Sequence, residues 1–204
     1  MSDIETLAIY GGTFSPPHLG HVHAAEAFFG ALEPDKLMII PSAVPPHKSP
    51  VTGARAAERL AMCRLAFSHI PRVEISEIEL LRQGKSYTVD TLRALEAENR
   101  RIVMLVGTDM LLSLDTWYCA EEIFARAEIA VIRRETDCEM AEKLQNTAEK
   151  YREKYGARVR FIDVTPIEIS STELRACIAA GRDTSQYLSA EVEAYIKQWR
   201  LYQS

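Results

Sequence analysis

Short, almost wholly apolar runs alternate with longer segments of helical periodicity along this chain, and that alternation limits its fold more than any other feature. Residues 6–10, 37–40, 102–106, 129–132 and 159–164 read as strands, with 73–75 a shorter one. Helical spacing marks 18–32, where Val22, Ala25, Phe29 and Leu32 share a face, and helices are expected at 55–68, 88–97 and 138–155. Further helices begin near Thr172 and Ser189. In the 138–155 segment Met140, Leu144, Ala148, Tyr151 and Tyr155 fall on one face, and Gly156 closes it as a C-cap. A strand with one wet face alternates apolar and polar residues, whereas these runs are nearly continuous, so both of their faces should be covered. The pattern predicts an α/β fold: a Rossmann-like, doubly wound parallel sheet with helices on both faces. With 204 residues and no repeat or linker, residues 1–204 are expected to form a single domain with a sizeable core.

Composition narrows the function. The chain is 47% hydrophobic and 26% charged, an ordinary globular balance. A net charge of -5 without a basic stripe argues against a nucleic-acid polymer as partner, yet leaves room for a small anionic substrate held by local cations. Cys63, Cys119, Cys138 and Cys177 are scattered, which reads as reduced, structural thiols. Residues 1–5 carry acids where a secretory signal would be basic, and no run approaches the roughly 20 apolar residues of a membrane span. The expectation is a soluble cytoplasmic protein with no membrane partner; a homo-oligomer is compatible with the chain.

In open α/β sheets ligands bind beyond the carboxyl ends of the strands. The unusual residues of this chain cluster there: Gly11, the 45–48 loop, Gly107, Arg133 and Ser170 each follow an expected strand. The strongest segment is Gly11-Gly12-Thr13-Phe14-Ser15-Pro16-Pro17-His18-Leu19-Gly20-His21. Paired glycines let backbone approach a ligand, the following helix offers free N–H groups to an anion, and His18 and His21 share a helical face. A plain Gly-Gly turn with surface histidines would also account for it. Metal ligation by His18, His21 and His23 lacks a cysteine or carboxylate at ligand spacing, so no metal site is expected. The second segment, Ile169-Ser170-Ser171-Thr172-Glu173-Leu174-Arg175, contains a capping box in Ser170 and Glu173. Its hydroxyls and Arg175 at a helix start equally suit a polyphosphate. Taken alone, the other segments are weaker. Lys48 in Pro45-Pro46-His47-Lys48 reads equally as a solvated cation, Asp109 as a plain N-cap, Trp117-Tyr118 as core aromatics, and Arg133-Arg134 as a solvated pair. Gly84-Lys85-Ser86 ends like a phosphate-binding P-loop, but that motif needs glycine where Glu79 stands.

Together, His18-Leu19-Gly20-His21 and Ile169-Ser170-Ser171-Thr172 with Arg175 resemble the two signatures of the nucleotidyltransferase superfamily. Pro45-Pro46-His47-Lys48, Ser-Tyr-Thr-Val-Asp-Thr-Leu at 86–92, Gly107-Thr108-Asp109 and Leu114-Asp115-Thr116-Trp117 narrow the resemblance to the bacterial nicotinate-nucleotide adenylyltransferases, over nearly the whole chain. The resemblance implies transfer of AMP from ATP to nicotinate mononucleotide, with Mg²⁺ carried on the ATP. It implies that Gly11, Gly12, Thr13 and Phe14 line the nucleotide cleft and that His18 and His21 face the ATP phosphates. Ile169, Ser170, Ser171, Thr172 and Arg175 would hold the same polyphosphate, and Gly107 and Asp109 would border the adenosine. Trp117 would stack on the pyridine ring, and backbone N–H groups of Thr88 and Tyr118 would receive the nicotinate carboxylate. Lys48 and Arg133 would neutralise the acceptor phosphate. Ser15 departs from the aspartate usual in that family, which removes a charge.

Overall fold

Leu7, Ala8 and Ile9 are exposed by 3% or less at the centre of the first strand, β1 (Glu5–Gly12). After it come α1 (Leu19–Leu32), β2 (Lys36–Pro41), α2 (Ala56–Phe67), β3 (Val73–Ile75), α3 (Thr88–Leu95) and β4 (Arg100–Gly107). The chain continues through α4 (Thr108–Ser113), a 3₁₀ turn (Leu114–Thr116), α5 (Ala120–Arg126), β5 (Ala127–Arg133), α6 (Cys138–Tyr155), β6 (Val159–Asp163), α7 (Ser171–Ala179) and α8 (Ala190–Gln198). The computed structural model describes residues 4–43, 54–82, 86–133, 138–165, 167 and 169–203.

The strands form one six-stranded sheet in the order β3-β2-β1-β4-β5-β6. The pairs β1–β4, β4–β5 and β5–β6 run parallel, with Tyr10 opposite Leu105 and Val106 opposite Val131. Parallel neighbours need crossover connections, and helices supply them here, as the near-continuous apolar strands require. This is the expected Rossmann-like α/β fold. The strand order reverses at the β1–β4 pair.

Two compact units divide the chain. The first comprises residues 1–10, 27–38 and 87–166, the second residues 11–26, 39–86 and 167–204, so β1, α1 and β2 each run from one into the other. In the first unit the core is built from Leu7, Phe28, Leu37, Val103, Leu105, Ile129, Val131 and Tyr151. Glu128 on β5 lies among them at 5% exposure, with Arg101 of β4 at 2.5 Å and Arg160 of β6 also bonded to it. Burial works against its charge, but the two guanidiniums prevail and hold the carboxyl below the usual range. The core of the second unit is Phe14, Ile39, Ile40, Met62, Cys63, Phe67, Leu174, Val192 and Ile196.

Gly156 and Gly181 take φ of 65° and 64°, the left-handed conformation that ends a helix. The Gly156 N–H donates to the Arg152 carbonyl at 2.9 Å, closing α6. Periodicity had not marked α4 and α5; at six and seven residues neither completes the two turns that show an amphipathic stripe. No helix among the described residues is long and apolar enough to cross a membrane. All four cysteines are free, with Cys63 buried and Cys138 exposed.

Candidate active site

Packing accounts for the second of the two glycines that end β1. A methyl group at Gly12 would stand 2.8 Å from Cζ of Phe14. Phe14 itself takes φ of 48°, a left-handed conformation that costs a non-glycine residue roughly 1–2 kcal/mol. Its ring is 1% exposed and lies edge-on to Phe67 at 5.6 Å and to His21 at 5.1 Å, contacts that offset the cost. Gly11 is exposed, and a Cβ there would only graze the Ile40 carbonyl at 4.0 Å.

Three backbone carbonyls of the following loop are held by side chains from α2 and α7. Arg59 donates Nη1–H to the Thr13 carbonyl at 2.8 Å, Arg175 donates Nη1–H to that of Ser15 at 2.8 Å, and Ser171 donates its hydroxyl to that of Pro16 at 3.0 Å. The Ser15 hydroxyl is bonded to the Tyr202 phenol at 2.9 Å. The glycine and serine-rich segments are thereby joined across about 155 to 160 residues of sequence. Burial pushes the Tyr202 phenol up to about 12, against the opposing pull of the Ser15 hydrogen bond and the Arg175 and Arg59 charges.

His18 is 6% exposed, and its carbonyl opens α1 by accepting from the N–H groups of His21 at 2.8 Å and Val22 at 3.1 Å. The two imidazoles lie 3.7 Å apart, tilted by 34°. The His18 N–H donates to Nδ1 of His21 at 3.2 Å. With Nδ1 as acceptor, neutral His21 carries its hydrogen on Nε2 and presents a donor there. Gly20 makes this pair possible, since a methyl group on it would stand 3.0 Å from His18 Nδ1. The free N–H groups expected at the start of α1 are partly spent: Leu19 donates to the Tyr187 carbonyl at 2.8 Å.

Ser170 is the N-cap of α7, and its capping box with Glu173 is complete. The Ser170 hydroxyl donates to Glu173 Oε2 at 2.7 Å and accepts the Glu173 N–H at 3.1 Å, while the Ser170 N–H donates to Oε2 at 2.8 Å. These bonds hold the Glu173 carboxyl below its usual range, the hydroxyl contributing most. Thr172 is exposed and accepts from Arg175 Nη2 at 3.0 Å. Half-buried Ile169 donates its N–H to the Ile167 carbonyl at 2.9 Å. Among the described residues neither Arg59 nor Arg175 has a carboxylate partner, whereas Arg55 and Arg64 pair with Glu58 and Glu77 at 2.6 Å.

The other expected site residues belong to the first unit. Gly107 ends β4 and is the N-cap of α4; a Cβ there would meet nothing within 4 Å, so nothing in the described protein demands glycine. Asp109 is exposed in the first turn of α4 and is not its N-cap. Thr88 is the first residue of α3, where a backbone N–H has no acceptor within the helix. The preceding Tyr87 ring lies 4.7 Å from that of Tyr118, which is 58% exposed. Trp117 is half-buried rather than a core aromatic and caps the 3₁₀ turn, its N–H donating to the Leu114 carbonyl at 3.1 Å. That turn is fastened to α6. The buried Tyr151 phenol bonds the Leu111 carbonyl at 2.9 Å, Asp115 Oδ1 at 3.1 Å and the Asp115 N–H at 3.3 Å, and Lys150 meets Asp115 Oδ2 at 2.8 Å. Arg133 bonds Asp163 at 2.6 Å and lies over the Phe161 ring at 5.4 Å, so it is a paired cation. Lys48 lies outside the described residues. Among those residues no three His, Cys, Asp or Glu side chains gather as a metal ligand set.

Sequence reasoning missed Arg59, Tyr202 and Tyr151. A signal for Arg59 was present: it shares spacing with Cys63 and Ala66 on the buried face of α2, an odd position for a cation. No local pattern marks Tyr202, and spacing marks Tyr151 only as one residue of a shared helical face in 138–155.

Residues 9–177 match the family model described as cytidylyltransferase-like. The chain is 34% identical over 198 residues to the probable nicotinate-nucleotide adenylyltransferase of Exiguobacterium sibiricum, covering 96% of this chain and 98% of that one. Against the protein of the same description from Marinobacter nauticus, identity is 38% over 206 residues and 95% of each chain. Among solved structures, Plasmodium falciparum nicotinic acid mononucleotide adenylyltransferase complexed with NaAD superposes with a TM-score of 0.78 over 97% of both chains at 17% identity.

Proposed function

Because this chain belongs to the nicotinate-nucleotide adenylyltransferase family, within the cytidylyltransferase-like group, we propose that it transfers AMP from ATP to nicotinate mononucleotide. The products are nicotinate adenine dinucleotide (deamido-NAD) and pyrophosphate, a step of NAD biosynthesis. Residues 1–204 act in this reading as one cytoplasmic nucleotidyltransferase domain.

The observation that carries the chemistry is the close His18–His21 pair, with the Nδ1 of His21 already accepting a hydrogen bond. The acceptor phosphate is anionic and needs no general base. An oxygen of nicotinate mononucleotide attacks the α-phosphorus of ATP, and the bond from that phosphorus to the bridging β-phosphate oxygen breaks, with its electrons leaving on pyrophosphate. Alignment and stabilisation of charge on the phosphates then account for catalysis. His21 Nε2–H, His18, Arg175 and the hydroxyls of Ser171 and Thr172 supply the donors. Ser170, fully engaged with Glu173, holds the start of α7, and Ile169 leads into it. Gly11, Gly12, Thr13 and Phe14 line the nucleotide cleft.

Gly107 and Asp109 border the adenosine; the open space at Gly107 supports close approach of a ligand there. Trp117 stacks on the pyridine ring, and the N–H groups of Thr88 and Tyr118 receive the nicotinate carboxylate. Lys48 and Arg133 offset acceptor phosphate charge, Arg133 while still paired with Asp163. The donor set around the loop is imidazole, hydroxyl and guanidinium, which suits phosphate oxygens better than a hard cation, so Mg²⁺ travels on the ATP. When bound it neutralises charge on the phosphate oxygens.

The test is pyrophosphate release from ATP and Mg²⁺ with nicotinate mononucleotide or nicotinamide mononucleotide as acceptor. A strong preference for the nicotinate form is expected. Equal rates would remove the carboxylate role of Thr88 and Tyr118, and no release with either would overturn the reaction.

A further inference from the structure

Arg59 has the environment of a cation awaiting an anion. The side chain is 2% exposed, and its hydrogen bonding among the described residues is a single bond from Nη1 to the Thr13 carbonyl. Its Nε–H is buried with no acceptor among the described residues. The neighbouring carboxylate in sequence, Glu58, is committed to Arg55 through both oxygens, Oε1 taking the Arg55 guanidinium at 2.6 Å and Oε2 its backbone N–H at 2.6 Å. Ser15, at the centre of the loop that Arg59 braces, brings a hydroxyl rather than a charge, and that hydroxyl is bonded to the Tyr202 phenol. Arg175, on the Ser15 carbonyl of the same loop, likewise has no carboxylate among the described residues. Burial disfavours the Arg59 charge, with only the Cys63 thiol and the Tyr202 phenol acting the other way. An arginine keeps its proton regardless, so the empty protein bears the cost of a buried, poorly satisfied charge.

We propose that Arg59 is a further anion-binding residue of the Gly12–Pro16 loop, a buried guanidinium whose charge is matched when phosphate groups of the nucleotide arrive. The inference rests on the adenylyltransferase reading and adds to it a cation from α2 that is separate from both signature segments. Because the cost is carried by the empty state, Arg59 contributes to binding more than to folding. A purely architectural arginine would do the reverse, since its bond to Thr13 stabilises the loop with or without ligand.

The experiment compares wild type, Arg59→Met and Arg59→Lys by thermal unfolding without ligand and across a titration of inorganic pyrophosphate, with ATP binding measured by calorimetry. Arg59→Met should melt within about 4 °C of wild type when empty, the size of one lost hydrogen bond in a chain of this length. It should bind pyrophosphate and ATP at least about tenfold more weakly, as expected for loss of a charged hydrogen bond. Arg59→Lys, which keeps the charge, should recover part of that affinity. A larger fall in the empty protein's melting temperature, or failure of Arg59→Met to fold, overturns the proposal, as does unchanged pyrophosphate affinity or a lysine variant no better than methionine. Wild type that neither pyrophosphate nor ATP stabilises would overturn the nucleotide reading as well, whereas a wild-type response that survives Arg59→Met overturns this inference alone.

Discussion

A methyl group at Gly20 would stand 3.0 Å from His18 Nδ1, closer than an ordinary van der Waals contact. This gives a substitution in which stability and activity should part company. Alanine is the better helix former by about 1 kcal/mol, so Gly20→Ala should melt no lower than wild type by circular dichroism. Its turnover should nevertheless fall, because the His18 ring must shift from its place beside His21. An unchanged turnover would mean that the two rings are not needed in this arrangement. His21→Ala tests the donor itself. It should fold normally and lose about 10²–10³ in turnover, the usual cost of removing one preorganised donor. Ser15 also acquires a reason at this scale: its hydroxyl is the partner of a buried phenol, and an alanine there would leave the Tyr202 oxygen without that bond.

At the scale of elements, α6 fastens the turn proposed to carry the pyridine-stacking residue without supplying a site residue itself. Tyr151 and Lys150 fasten Asp115, two residues before Trp117, and so fix the turn that carries the indole. Tyr151→Phe keeps the ring in the core and removes only these bonds; it should raise the KM for nicotinate mononucleotide while leaving that for ATP nearly unchanged. Equal changes in both would assign Tyr151 to general stability. The Asp115 carboxyl is held below its usual range, first by the Lys150 hydrogen bond and then by Tyr151. A depressed folded-state value means that the carboxylate's stabilisation is complete at neutral pH. It is lost as pH falls below the ordinary carboxylate range of about 4 and through the lower folded-state value. Melting curves of wild type and Asp115→Asn should therefore differ at pH 7, by no more than about 1 kcal/mol for so exposed a pair, and converge toward pH 3. The strands and the long helices were legible because buried parallel strands and amphipathic helices leave periodic marks. The short α4 and α5 leave none. In the site, the histidines, glycines and capping box were legible from spacing, whereas the roles of Arg59, Tyr202 and Tyr151 depend on contacts 46, 187 and 36 residues away in sequence.

For the whole molecule, a chain of net charge -5 that handles two anionic substrates must rely on how its cations are distributed. Arg93, Arg100, Arg101, Arg126, Arg133 and Arg160 are all in ion pairs with carboxylates, Arg101 and Arg160 sharing Glu128, while Arg59 and Arg175 bind backbone carbonyls around one loop. The loop is therefore more positive than the net charge suggests. In the proposed reading the two groups of residues also fall in different units of the chain. The residues assigned to the ATP phosphates, 11–21 and 169–175, fall in one, and those assigned to the pyridine, Thr88, Trp117 and Tyr118, fall in the other. Hydrogen exchange can read the two separately, since a bound ligand slows opening of the segments it holds. Pyrophosphate, which has neither base nor pyridine, should slow exchange in 11–21 and 169–175 and leave 87–95 and 114–120 unchanged. Nicotinate mononucleotide should slow exchange in 87–95 and 114–120, whatever its phosphate does elsewhere. If those two segments exchange at the free rate with nicotinate mononucleotide saturating, the pyridine is held by other residues and the assignment of Thr88, Trp117 and Tyr118 falls. If pyrophosphate alone slows them, their protection reports a general tightening of the protein rather than recognition of the ring.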